Sequence, residues 1–282
     1  MSKRVQIWLM IAAVLLLLGM MAFAGAMTIL GWNFATISTI RYQSQLHNVT
    51  EKFQNISIEC DTANVIFQLS DNQQCQVGCY EQINASHTVT VNGDSLVIKI
   101  EDNRKWYEHI GILIDRPIVA LYLPESKYGT LTVKSSTGDV TIPEDFSFQS
   151  IDIAEDTGDI KSLAAATDAV KLKTSTGDIF LKGITTKSLD LTASTGDINL
   201  QNVIAEGKFS IETSTGNVKF KKCDAAEIFV TTDTGNVTGS LQSEKVFFAQ
   251  SDTGKIEVPK TIHGGRCEIT TDTGNIKINI EP

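Results

Sequence analysis

Lys173-Thr-Ser-Thr-Gly-Asp-Ile-Phe-Leu181 is followed, nineteen residues on, by Thr192-Ala-Ser-Thr-Gly-Asp-Ile-Asn-Leu200. The same phrase recurs along the second half of the chain and decides the fold. Its corners are Thr137-Gly138, Thr157-Gly158, Thr176-Gly177, Thr195-Gly196, Thr215-Gly216, Thr234-Gly235, Thr253-Gly254 and Thr273-Gly274, spaced 19 or 20 residues apart. The residue after glycine is Asp139, Asp159, Asp178, Asp197, Asn217, Asn236, Lys255 or Asn275. The next is always Val or Ile. Positions five and seven before glycine are apolar, and the one between them is mostly polar. That period of two marks a half-buried strand, with a second short strand after the corner. Glycine supplies the positive φ of the corner, and Asp or Asn tolerates a left-handed conformation or bonds its own backbone.

One such unit cannot bury its apolar face, whereas stacked units can. The repeat therefore predicts an all-β protein. Residues 131–282 form a parallel β-solenoid, a single-stranded β-helix of eight repeats with coils about 4.8 Å apart. A stack of antiparallel hairpins is the alternative, since Gly-Asp and Gly-Asn also occupy hairpin turns. The identical phase of all eight units favours the solenoid.

Residues 51–130 lack the phrase but alternate at Ile56/Ile58, Val65/Phe67/Leu69, Val89/Val91, Leu96/Ile98/Ile100 and Val119/Leu121/Leu123. Asn92-Gly93-Asp94 reads as a hairpin turn. This stretch is expected to be a β-rich region capping the membrane-proximal end of the rod, after a linker at 31–50. Residues 5–30 carry no charge and are long enough for a transmembrane helix. Lys3 and Arg4 keep residues 1–4 as a short cytoplasmic tail, leaving the C-terminal domain extracellular on a single-pass anchor in the cell membrane. Ala22-Phe23-Ala24 leaves a cleaved signal peptide as the other reading. The chain has 282 residues, a net charge of −9 and 42% hydrophobic residues. That excludes disorder, and it lacks the basic footprint of a nucleic-acid binder.

The anchor, the introductory strands Asn92-Gly-Asp-Ser-Leu-Val-Ile-Lys-Ile100 and Ile118-Val-Ala-Leu-Tyr-Leu-Pro124, and the reiterated Ser-Thr-Gly-Asp phrase resemble the bacterial putative adhesins. These are uncharacterised β-strand repeat proteins of the Gram-positive envelope, a domain of unknown function. The likeness covers about residues 50–282. It implies a β-helical ectodomain on the envelope, often discussed alongside envelope-stress systems, with no established enzymatic activity, cofactor or agreed ligand.

Candidate sites are few. Asp139, Asp156, Asp159, Asp178 and Asp197 would gather at stacked corners, where like charges about 5 Å apart repel and Ca²⁺ relieves the repulsion. The competing reading has backbone N–H groups and hydroxyls satisfying the same carboxylates. The histidines, His47, His87, His109 and His263, show no metal-ligand spacing, and Cys75 and Cys79 lack a second pair or a nearby histidine for zinc. Cys60, Cys75 and Cys79 admit one disulfide outside the cell. Cys223 and Cys267 read as core residues. Arg104, Trp106, Tyr107 and His109 form an aromatic and charged loop that suits a partner. The acids follow the repeat rather than cluster in a groove, which argues against a glycosidase or lyase. The expectation is a non-catalytic, adhesin-like surface binder of an envelope protein or surface glycan, acting by multivalent contact. The rival is the ectodomain of an envelope-stress sensing system that works through a membrane partner.

Overall fold

The repeat columns stack in register, and every strand pairing between repeats is parallel. The computed structural model describes residues 2–29, 31–32, 41–106 and 116–282. Two compact units emerge, one of residues 1–41 with 104–115 and one of 42–103 with 116–282.

In the first unit, helix Lys3–Ile29 begins with Lys3 and Arg4 and carries no charge after them, with a mean hydropathy of 2.6 over its most apolar window. At about 1.5 Å per residue it is long enough to cross a bilayer, and a signal sequence meets the same criteria. Arg104 and Trp106 also belong to this unit, and Trp106 is exposed. Tyr107 and His109 lie outside the described residues.

The second unit is the β-solenoid. Each coil has one strand before its corner, such as Ala165–Thr176, and a shorter one after it, such as Ile179–Lys182. Short third strands, Thr185–Thr186 on Ile204-Ala205, close some coils. Leu131, Ile151, Val170, Leu189, Phe209, Ile228 and Cys267 form one inward column, all essentially inaccessible. Burying each such side chain contributes about 1.5–3 kcal/mol. Parallel pairing rules out the hairpin stack.

Two features depart from simple repetition. Residues 55–69, expected within the cap, pair with the first repeat: Ile56 faces Leu131, Ile58 faces Val133 and Val65 faces Val140. Thr62-Ala63-Asn64 is thus a further corner, with alanine where the others have glycine. The second departure is coil order. Strand Val218–Thr234 pairs with Gly265–Thr273, which in turn pairs with Lys245–Thr253. The coil cornered at Gly274 is therefore inserted between those of Gly235 and Gly254. The final strand Ile276–Ile280 pairs with Val237–Leu241 on one side and, at Ile276 and Lys277 alone, with Ile256-Glu257 on the other, so the exposed end coil is 245–257. Ile256 is 42% exposed there, whereas the eight other residues of its column are buried.

At the opposite end the two walls of the solenoid continue separately. The pre-corner wall runs from Asn55–Glu59 to Ser95–Asp102 and then to Ala85–Asn92. The post-corner wall runs from Asn64–Leu69 to Ile118–Leu123, Cys75–Gln82 and Tyr42–Val49. Residues 42–49, expected as linker, are thus an edge strand. The Asn92-Gly93-Asp94 hairpin forms as expected, with Asn92 paired to Ser95.

Candidate functional site

The corner does more than turn the chain. Each side-chain oxygen at the position after glycine accepts the backbone N–H of the same position one coil on. Asn64 Oδ1 accepts from Asp139 N at 3.0 Å, Asp139 from Asp159 N at 3.0 Å, Asp159 from Asp178 N at 2.8 Å and Asp178 from Asp197 N at 2.7 Å. Asp197, Asn217, Asn236 and Asn275 continue the series, and Asn275 Oδ1 receives the N–H of Lys255 at 2.9 Å. The bond therefore runs between coils, not to the residue's own backbone. Lys255 has no acceptor and ends the ladder. The glycine is required sterically as well: at Gly177, with φ +148°, an added Cβ would sit 2.0 Å from the carbonyl oxygen of Gly158.

A second, inward ladder lies three positions before glycine. Thr174, Thr213, Thr232 and Thr271 donate their hydroxyls to the glycine carbonyl of the neighbouring coil, and Ser251 donates to Gly274. Glu155 interrupts it between Ser135 and Thr174. The carboxyl is 3% exposed and neither oxygen has a hydrogen-bond partner. Burial pushes its pKa up to about 8; Ser135 opposes this, and the charges of Asp139 and Asp156 reinforce it.

The outer ladder borders a shallow groove of about 740 Å³ over the last coils. One wall is the amide ladder of Asn217, Asn236 and Asn275; the other includes Asn199, Lys219 and Lys277. Lys219, Lys255 and Lys277 outnumber Asp197 and Glu257, the acids on its lining. Toward the cap the same ladder consists of carboxylates, so its character changes along the stack.

Of the five aspartates singled out, Asp139, Asp159, Asp178 and Asp197 are brought together, each with one oxygen committed to a backbone amide. Asp156 lies outside the ladder and is exposed. Asp139 also faces the Arg116 guanidinium at 3.9 Å. All five cysteines are free and buried. Cys75 and Cys79 lie four residues apart on one strand, about 13 Å, beyond disulfide reach. Cys223 and Cys267 are core residues as expected.

Sequence reasoning missed one cluster. Cys79, Glu81 and His87 meet in the interior of the cap, with one potential ligand atom from each within 4.8 Å of the others. His87 Nδ1 lies 2.8 Å from Glu81 Oε2, and the same oxygen accepts the His87 backbone N–H at 2.7 Å. Cys79 does therefore have a histidine nearby, brought by the turn at Ile83-Asn84. Burial, with the Glu81 charge, pushes the Cys79 thiol up to about 12.

Comparison with solved structures places this fold among known ones. A putative lipid binding protein from Parabacteroides distasonis is 13% identical, with 86% of this chain and 98% of that chain aligned and a TM-score of 0.55. A putative adhesin from Bacteroides fragilis is 16% identical over 85% of this chain and 97% of that one, with a TM-score of 0.48. At these identities the likeness concerns the fold alone. No curated protein matches. The family model described as Toastrack DUF4097 matches residues 53–281, from the strand before the first corner to the end of the inserted coil, and the chain accordingly belongs to the Toastrack DUF4097 family.

Proposed function

We propose that this protein is a non-catalytic surface binder held at the cell membrane by helix Lys3–Ile29, with the solenoid outside. Its groove over the last coils would take an extended anionic polymer, an acidic envelope glycan. The observation that carries the reading is the groove itself: amides repeated at coil pitch, beside three lysines in a chain of net charge −9. An extended polymer with a regular repeat meets equivalent donors on successive coils, and avidity accumulates without any single tight contact. The names of the structural relatives, adhesin and lipid binding protein, accord with a surface-binding role.

The test is retention of fluorescent, soluble fragments of acidic cell-wall glycan by the full-length protein in detergent micelles. Lys219→Glu and Lys277→Glu, neither part of the ladder, should together weaken retention at least about 10-fold and flatten its salt dependence. Unchanged retention would sink the groove as the binding surface. If glycan binding is absent but envelope-stress genes lose their induction on deletion of the gene, the sensing alternative takes its place.

A further inference from the structure

We propose that Cys79, Glu81 and His87 form a buried zinc-class metal site that ties together the two walls of the cap. The three donors are of different chemical types and converge from two strands, Cys75–Gln82 and Ala85–Asn92. Their ligand atoms lie within 4.8 Å of one another, and none of the residues is more than 3% exposed.

The Glu81–His87 contact does not by itself account for the cluster. It occupies Glu81 Oε2 and His87 Nδ1, and leaves Glu81 Oε1 and His87 Nε2 buried with no hydrogen-bond partner. A carboxylate oxygen without a donor, beside a thiol, is costly in a dry interior unless something takes it. A metal ion held by Cys79 Sγ, the Glu81 carboxylate and His87 Nδ1 would replace the Glu81–His87 contact and engage the carboxylate. Thiolate and imidazole donors select zinc over calcium or magnesium, which prefer oxygen alone. The imidazole would bind through Nδ1, the nitrogen already turned toward Glu81.

The location gives the site its role. In the solenoid the corner ladders hold the two walls together, and those ladders begin at Asn64. Beyond it the walls diverge, and strands Cys75–Gln82 and Ala85–Asn92 share only the pair Gln82 with Ala85. Cys79 and Glu81 belong to the post-corner wall and His87 to the pre-corner wall, so the metal would add a side-chain tie between walls that are otherwise joined here only by one backbone pair and its turn. Its burial suits a structural ion.

The experiment uses full-length protein in detergent, stripped of metal under reducing conditions, and titrated with Co²⁺ and then Zn²⁺. One equivalent of Co²⁺ should give a thiolate-to-cobalt charge-transfer band that Zn²⁺ abolishes. X-ray absorption of the zinc form should show one sulfur at about 2.3 Å and nitrogen or oxygen neighbours at about 2.0–2.2 Å. Glu81→Gln and His87→Gln should each weaken Co²⁺ binding at least about 10-fold, in the range expected for losing a metal-site partner. Cys79→Ser should remove the band, whereas Cys223→Ser keeps it. Absence of the band in reduced wild type, a zinc spectrum without sulfur, or a folded Cys79→Ser that retains the band would overturn the site. So would a Cys60–Cys79 disulfide in protein isolated from its host without reductant. Should Cys79→Ser fail to fold, the wild-type absorption spectrum decides alone.

Discussion

Glu155→Gln tests the interior of the solenoid most directly. Glu155 occupies a column otherwise filled largely by Thr and Ser, and its carboxyl is held protonated near neutrality because burial raises its pKa from 4.5 to about 8. In the unfolded chain the group ionises near 4.5. Below that pH both states carry the proton and the residue adds no pH dependence. Between 4.5 and about 8 only the folded state holds it, so stability falls as pH rises; above 8 the loss levels off. Holding a proton at pH 7 costs about 1.36 kcal/mol for each pH unit above the unfolded value, an upper limit near 3.4 kcal/mol. Discounted for residual hydration, about 2 kcal/mol remains. Glutamine keeps the shape and removes the titration. Denaturant unfolding of the full-length protein in detergent, followed by circular dichroism, should show Glu155→Gln more stable than wild type by about 2 kcal/mol at pH 7. The two should converge near pH 4. Parallel stability curves for the two proteins from pH 4 to 8.5, or a wild type that gains stability across that window, would refute the reasoning.

Coil order is tested by the ends of the amide ladder. Asn275→Ala removes an interior rung and should cost about 1–3 kcal/mol, whereas Lys255→Ala should stay within about 0.5 kcal/mol in the same unfolding assay. An Asn275→Ala cost no larger than that of Lys255→Ala would mean that the coils stack in chain order. Gly177→Ala drives a methyl into the Gly158 carbonyl and should cost about 3 kcal/mol or more. Gly183→Ala, with open space around its Cβ and φ +71°, should cost about 1 kcal/mol. Equal midpoints for these two variants would discard the close-approach argument.

The solenoid was legible because its signal is a column: eight corners with one apolar phase leave few other ways to bury the inward face. The first corner escaped because Ala63 stands where the others have glycine and 75 residues separate Asn64 from Asp139. Alanine is tolerated there because, among the described residues, no earlier corner is stacked against it. Coil order escaped for a different reason. Units with the same apolar columns are nearly interchangeable, so periodicity cannot rank them. The one mark of order was Lys255, whose side chain cannot accept the next amide. The metal cluster was hidden by composition. Cys75, Val77 and Cys79 do alternate with Gln76 and Gly78, but Glu81 stands where the next inward residue should be apolar, so the stretch did not read as a strand, and without it Cys79 and His87 appeared unrelated. Glu155 drew no notice because an acid beside an acidic corner looks like surface.

The inserted coil also bears on biogenesis. Among the described residues, strands 245–257 pair only with 265–280, which leave the ribosome later. The stack therefore cannot be completed in the order in which it is made. Until the later segment arrives, the strands cornered at Gly235 present an open edge, and the coil of 245–257 has nothing to pair with. A nascent chain stalled or clipped before residue 265 thus exposes two unpaired surfaces rather than a slightly shorter rod, a state that folding quality control and proteases can distinguish from the finished molecule.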